Sequence, residues 1–456
     1  MSLELSLGLT VAFVILGILS GVPIGYIFGI SCIILFLMTA NFDAITWLVP
    51  SSLKILQAFT MLALPLYIMV GSLLRTTFLA MRLFEFLRAI LGRLRAAFGG
   101  AIVLFVAVFG AMSGSAASAI AAIGTLVIPE GTRYGYDKEY TSGLVANSSL
   151  IAMLIPPSLT MIIFGIASRT SIPILFLATA VPGILTAIFL IGLNFFLTRR
   201  WKFTAVAQPP VTGGRRGRIA GKAIIALPSL AVPCIILGGI YGGVFTPTEA
   251  AAVAVAWIIL YALITSTRLM FIRKSISEFG AGLAGLRSGL IEAGRIIGAM
   301  GTICFFMFAL SKAMVFVGVP GMIKEVLVAT VPSRVIFLLV VNVILLIMGM
   351  IMDDVSCCIL AAIILLPVAL HFGVSPFHFG AIVGMNAGLG NLTPPVAPLL
   401  YFAAGIGDVP VKLYPPNRYV KTVAILLLFA QLPVLILITY IPQLSLFLPN
   451  LWMAGR

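Results

Sequence analysis

Charge is scarce in this sequence. Of 456 residues only 9% are Asp, Glu, Lys or Arg, while 61% are apolar. A soluble domain carries about 25% charged residues, so soluble folds are excluded at the outset. Acid is scarcer than base, with 13 Asp and Glu against 28 Lys and Arg, a net of +15. In a soluble domain that excess would suggest nucleic acid. In a chain this apolar, retention of Lys and Arg on the cytoplasmic side of a membrane explains it, and no nucleic-acid partner is expected. Only two histidines occur, His371 and His378. They flank a short loop, where a structural role outweighs a proton relay. Cys32, Cys234, Cys304, Cys357 and Cys358 lie in apolar runs without CxxC spacing, which argues against disulfides and metal and makes them small core residues. Walker A, HExxH, dinucleotide and Ser-His-Asp signatures are absent, so ATP hydrolysis and enzyme chemistry have no support. The start, MSLELSLGL, lacks a basic leader and cleavage site, so no cleaved signal peptide is expected.

Long apolar runs are abundant. Leu7 to Met38, Ala223 to Gly243 and Thr422 to Ile441 each suffice to cross a hydrocarbon core of roughly 30 Å, which takes about 20 residues in a helix. The chain therefore reads as an all-α polytopic membrane protein embedded in a lipid bilayer. Gly21, Gly25 and Gly29 give overlapping GxxxG spacings on the first run and predict close helix packing. Cations gather in residues 199–222, which also hold Pro209, Pro210, Gly213 and Gly214 and no acid. That stretch predicts a cytoplasmic linker between two halves. Two further sets, Arg75, Arg82, Arg88, Arg93 and Arg95, then Arg268, Arg273 and Lys274, predict amphipathic helices along the inner interface.

The two halves repeat. Pro156-Pro157 and Pro394-Pro395 lie 238 residues apart, and the same spacing pairs Ser118 with Ser356, Pro129 with Pro367, Gly135 with Gly373 and Phe164 with Phe402, without a gap. Each half carries an apolar stretch with a polar middle, then a span interrupted by Pro-Pro. Two prolines cannot continue a helix, and unwound backbone at membrane depth is tolerated only against protein or a water-filled cavity. Arg95 and Arg133 flank the first polar-centred stretch, and both fall on the cytoplasmic side if the linker does. A re-entrant hairpin with its tip at Ser113-Gly114-Ser115 satisfies this, and a second, with its tip near Asp353-Asp354, then enters from the opposite side. Two halves of inverted topology follow, an arrangement of secondary transporters.

Asp353 and Asp354 stand between apolar segments, where an unpaired carboxylate costs a few kcal/mol or more. Asp354 is expected to cap a helix end, and Asp353, which pairs with Ser115 in the repeat, to ligate an ion. Hard cations such as sodium want several oxygens, and Asn147, Ser148, Ser149 and Ser158 at the first break, with Asn386, Gly388, Gly390, Asn391 and Thr393 at the second, supply oxygens or exposed backbone. Half-helix N-termini at the breaks favour an anionic solute. No Lys or Arg lies in either break. Glu249, after Thr246-Pro247-Thr248, is expected to cap a helix start.

SGSAASAIAAIGTLVIPEGTRYGYDKEY, IPPSLTMIIFGIASRTSIPILFLATAVPGIL, GVFTPTEAAAVAVA, MDDVSCCILAAIILLPV and GNLTPPVAPLLYFAAGI resemble, in order and over essentially the whole chain, the large membrane subunit of tripartite ATP-independent periplasmic (TRAP) transporters. The resemblance implies a multi-pass protein of the bacterial cell inner membrane, in which sodium ions drive uptake of a small carboxylate-type organic anion. A periplasmic substrate-binding protein delivers the anion, and a separate small four-helix membrane subunit completes the complex. It also implies an inverted-repeat, elevator-type fold with two re-entrant hairpins and two Pro-Pro-broken helices. Scaffold helices and a first amphipathic arm would occupy 1–97, the first transport half 98–168, scaffold with linker and second arm 169–288, the second transport half 289–407, and a C-terminal scaffold helix 408–456. Sodium ligands would fall at Ser113, Gly114 and Ser115 with Asn147, Ser148 and Ser149, and at Asp353 with Asn386, Gly388 and Thr393. Solute would meet Ser115, Ser158, Ser356 or Asn391. One departure is NLTPPVAPLLYF, with Ala397-Pro398 where the family has glycine soon after the prolines. A self-sufficient sodium-coupled dicarboxylate carrier of similar design is the competing reading, and a passive channel a distant third.

Overall fold

A computed structural model describes residues 3–38, 42–77, 79–91, 97–199, 215–273 and 276–454. Five helices come first: α1 (Leu3–Leu19), α2 (Ile24–Met38), α3 (Phe42–Leu56), α4 (Ala63–Thr76) and α5 (Leu79–Leu91). The first repeat follows as α6 (Ala97–Ser113), α7 (Ala116–Ala119), α8 (Thr125–Arg133), α9 (Lys138–Leu154) and α10 (Leu159–Ser168). Next come α11 (Ile172–Thr198), α12 (Arg215–Tyr241), α13 (Pro247–Arg273), the 41-residue α14 (Ile276–Phe316) and α15 (Val319–Thr330). The second repeat is α16 (Arg334–Ile351), α17 (Asp354–Leu360), α18 (Leu366–His371), α19 (Pro376–Gly390) and α20 (Pro398–Gly407), and the chain closes with α21 (Arg418–Leu426), α22 (Leu432–Tyr440) and α23 (Gln443–Ala454). Among the described residues eight helices are long and apolar enough to cross a membrane, or nine when α9 and α10, bent by 41°, count as one span. Large apolar side chains face outward, with Phe195 61% and Phe429 64% exposed, as a lipid-facing surface requires.

The spacing of 238 residues maps the repeats element onto element. α6 to α10 fall on α16 to α20 within one or two residues at most ends, apart from the short pieces beside the π-helical turns at 120–124 and 361–365. The crossing of α6 on α9 recurs in α16 on α19, and both rest on small residues. A Cβ at Gly110 would stand 2.5 Å from Ala152 Cα, and one at Gly390 would collide with the backbone of Gly349. The halves interlock: α10 packs on α17, while α20 packs on α9 and on the turn at 120–124.

Against this repeat pair stand α2, α3, α4 and α13, all packed on α14. The expected division at 288/289 therefore falls inside an unbroken helix, and residues 289–316 lie with α2 and α4 as well as against α17. The C-terminal segment is also not a single helix. α21 and α22, joined by a π-helical turn at 427–431, and α23 pack on α9, α11 and α19.

Gly25 and Gly29 pack as their spacing predicts, each facing α14 at Thr302 and Phe306. Gly21 does not: it sits in the turn between α1 and α2 at φ +73°, so the first apolar run is two helices rather than one. Thr246 and Glu249 form a reciprocal capping box, Thr246 N donating to Glu249 Oε2 (2.8 Å) and Glu249 N to Thr246 Oγ1 (3.3 Å). His378 is buried with Nδ1 2.7 Å from Ser445 Oγ, the expected structural role. Four cysteines are buried; Cys234 is exposed on α12, contrary to expectation. α5 is a helix whose Arg82 lies 5.3 Å from the Tyr261 ring centre and whose Glu85 pairs with Lys222 at 2.5 Å. Residues 200–214 of the expected linker, and Arg93, Arg95 and Lys274, lie outside the described residues.

Candidate solute and ion site

A cavity of about 400 Å³ lies where the two repeats face α4 and α14. Its walls hold Gly114, Ser115 and Ser118 from the first tip, Met153 and Leu159 from the first break, Asp354 from the second tip, and Asn391, Leu399 and Phe402 from the second break. Gly71, Ser72 and Arg75 of α4 and Glu292, Ile296 and Met300 of α14 close the other side.

The first tip forms because α6 ends at Ser113 and Gly114 takes φ +62°, a conformation costly for any residue with a Cβ. A Cβ there would also stand 2.5 Å from the Pro157 carbonyl oxygen, so the tip rests directly on the break. Gly114 O accepts from Leu159 N at 3.2 Å, joining the two. Ser115 caps α7 through Ser118 N (3.3 Å). Three buried oxygens here have no hydrogen-bond partner: Ser113 Oγ, Asn147 Oδ1 and Ser148 Oγ. Asn147 cannot turn its amide round to satisfy Oδ1 without losing the bond from Nδ2 to Gly143 O (2.9 Å). Gln431, on the turn before α22, donates to Asn147 O at 2.8 Å and keeps its own Oε1 unpartnered. Ser149 Oγ is engaged by Ala146 O (2.7 Å).

In the second half the helix cap falls on the other aspartate. Asp353, not Asp354, is the cap: its carboxylate accepts from Val355 N (3.1 Å), Ser356 N (3.3 Å) and Ser356 Oγ (2.6 Å). Asp354, one residue on, faces the cavity. The reason is geometric, since a side chain can reach the N–H groups two and three residues ahead only from the extended position before the helix starts. Asn386 Oδ1 and Asn391 Oδ1 are buried without partners, while Asn386 Nδ2 donates to Asn342 Oδ1 (2.7 Å). Asn386 and Ser148 are related by the repeat spacing, so equivalent positions leave an oxygen free in both halves. Thr393 Oγ1 donates to Leu389 O (2.8 Å), and Gly388 packs on Leu150.

Of the four residues expected to meet solute, Ser115 and Asn391 line the cavity. Ser158 and Ser356 stand behind it, fully buried. Ser158 caps α10 through Met161 N (3.3 Å) and donates to Met153 O, and Ser356 is held by Asp353. The second break has no such hydroxyl: its cap is Ala397, in the left-handed region at φ +39°. Two residues were missed. Arg75 is on α4, not on an interfacial arm, and pairs with Glu292 of α14 across the cavity wall. Opposite charges in two apolar helices are the signal that would have found them.

The family model for the tripartite ATP-independent periplasmic transporter DctM component matches residues 11–444. The chain belongs to this TRAP family. It is 34% identical over 400 residues to the C4-dicarboxylate TRAP transporter large permease protein DctM of Pseudomonas aeruginosa, covering 86% of this chain and 87% of that one. It is 29% identical to the sialic acid TRAP transporter large permease protein SiaM of Vibrio cholerae, covering 96% and 97%. Among solved structures, the Alcanivorax borkumensis YdaH transporter superposes with a TM-score of 0.56 over 90% of each chain at 16% identity, a likeness of fold. This TRAP permease is thus a multi-pass protein of the inner membrane, and its relatives are transporter subunits rather than enzymes.

Proposed function

We propose that this TRAP permease takes up a small organic carboxylate driven by a sodium gradient, the solute being handed over by a periplasmic binding protein and the complex completed by a small four-helix membrane subunit. The observation that carries this reading is the set of partnerless buried oxygens on the elements that carry the two tips and breaks: Ser113 Oγ, Asn147 Oδ1 and Ser148 Oγ in one half, Asn386 Oδ1 and Asn391 Oδ1 in the other, Asn391 lining the cavity itself. An orphaned buried oxygen costs about 1–3 kcal/mol, and a hard cation that accepts several oxygen ligands removes that cost. With the backbone of Gly114 and Ser115, these groups make two sodium sites of neutral oxygens. Asp353 can join the second, because its Oδ1 accepts only from Ser356 Oγ and retains a lone pair toward a cation.

The two tips and breaks would act as re-entrant hairpins and broken membrane helices of inverted halves, moving as one body against α2, α4 and α14 in an elevator cycle. Interlocking of α10 with α17 and of α20 with α9 favours joint motion. The relatives named for C4-dicarboxylate and sialic acid support an organic acid as solute.

The test is uptake into proteoliposomes holding this chain and its small subunit. With an inward sodium gradient and micromolar organic acid, uptake is expected only when the cognate binding protein is present, and to vanish when potassium replaces sodium. Robust sodium-driven uptake without a binding protein overturns the reading in favour of a self-sufficient carrier.

A further inference from the structure

Three ionisable side chains among the described residues face the cavity: Arg75, Glu292 and Asp354. Arg75 is the one cation among them, so an organic acid entering as an anion has only Arg75 to offset the two carboxyl groups. Arg75 is placed for that. It lies one turn beyond Gly71 on α4, and at Gly71 the helix approaches the first tip so closely that a Cβ would stand 3.2 Å from Ser118 Oγ. Its guanidinium touches Glu292 through Nη2 alone. A guanidinium offers five N–H donors in a planar fork matched to a carboxylate. The remaining edge has no protein acceptor among the described residues, and the side chain, which lines the cavity, stays about one third exposed (34%).

We propose that Arg75 recognises a carboxylate of the transported solute and that Glu292 is its internal competitor, occupying part of the fork until the solute arrives. The proposal rests on the organic-acid reading above. It makes the solute site two-walled: Ser115 and Asn391 belong to the repeats, and Arg75 to the opposing helix pair. It also supplies the fixed cation that the break motifs lack. A structural ion pair and a recognition pair differ in one consequence. Breaking a structural pair from either side does the same damage, whereas neutralising Arg75 and neutralising Glu292 act in opposite directions if Glu292 competes with the solute.

The experiment uses the chain with its small subunit in proteoliposomes, Cys234→Ala to remove the exposed thiol, and Ser118→Cys as a reporter on the cavity wall. Two thiosulfonate reagents of similar size, one bearing a sulfonate and one a trimethylammonium group, probe the preference for anions. Arg75→Gln is expected to lower the ratio of anionic to cationic labelling rates about tenfold, and Glu292→Gln to raise it by a similar factor. Arg75→Lys keeps the charge and is expected to keep most of the ratio. An unchanged ratio in Arg75→Gln, or a fall in both neutralised variants, overturns the role of Arg75. This readout needs no transport, so a wild-type complex that takes up no organic acid would count against the proposed function and not against the Arg75 assignment.

Discussion

Ser115 and Asp353, related by the repeat spacing, do the same local work with different chemistry: each accepts the backbone N–H three residues ahead, Ser118 N and Ser356 N, both at 3.3 Å. A hydroxyl in one half and a carboxylate in the other thus start equivalent helices, and only the second brings an ionisable group.

Asp353→Ala removes all three bonds at the start of α17 and is expected to cost about 1–2 kcal/mol, seen as a lower melting temperature in detergent. Asp353→Ser keeps a cap of the Ser115 kind and should recover most of that loss. If Asp353 also holds sodium, the serine variant stays folded but needs several-fold more sodium for half-maximal uptake. A wild-type sodium dependence in Asp353→Ser removes Asp353 from the ion site.

Ser113→Ala separates an ion ligand from an idle hydroxyl. Deleting a buried hydroxyl that has no partner is neutral or stabilising by about 1 kcal/mol when nothing binds there. As a sodium ligand, Ser113 should instead show an unchanged melting temperature in potassium, a smaller stabilisation on adding sodium, and slower uptake. Equal sodium stabilisation of Ser113→Ala and wild type would place the ion elsewhere.

Ala397 occupies φ +39° without a side-chain cap. Ala397→Gly relieves a left-handed conformation worth about 1 kcal/mol or more and should raise the melting temperature by a few degrees. A lower melting temperature would show that flexibility in the unfolded chain outweighs the relief.

Gly390→Ala has the opposite sign. Its Cβ would meet the Gly349 backbone, which cannot swing away as a side chain can. Expression of folded protein should fall several-fold, and Gly390→Ala at wild-type yield and melting temperature would mean that α16 and α19 separate easily.

The helical architecture and the repeat were legible because hydropathy and Pro-Pro spacing are properties of short segments. The helix break at Ser113-Gly114-Ser115 was legible too, since glycine between two serines interrupts an apolar run. What failed was anything decided by one residue's reach. Adjacent aspartates are indistinguishable in sequence, and the extended backbone at 353 assigns the cap to Asp353 and the cavity to Asp354. Ser158 and Ser356 carry the right chemistry but spend it on Met153 and Asp353. Arg75 and Glu292 are 217 residues apart, and only the packing of α4 on α14 brings them together.

At a rise of 1.5 Å per residue α14 is roughly 60 Å long, about twice the 30 Å thickness of bilayer hydrocarbon. It cannot stand upright wholly within the hydrocarbon, so it tilts, runs partly along one leaflet, or projects beyond the lipid. Glu292 and Met300 ride on this same rod at the cavity wall. Bilayers of longer or shorter acyl chains, by changing its tilt, should reshape the cavity and set the transport rate, making the lipid a participant in the cycle.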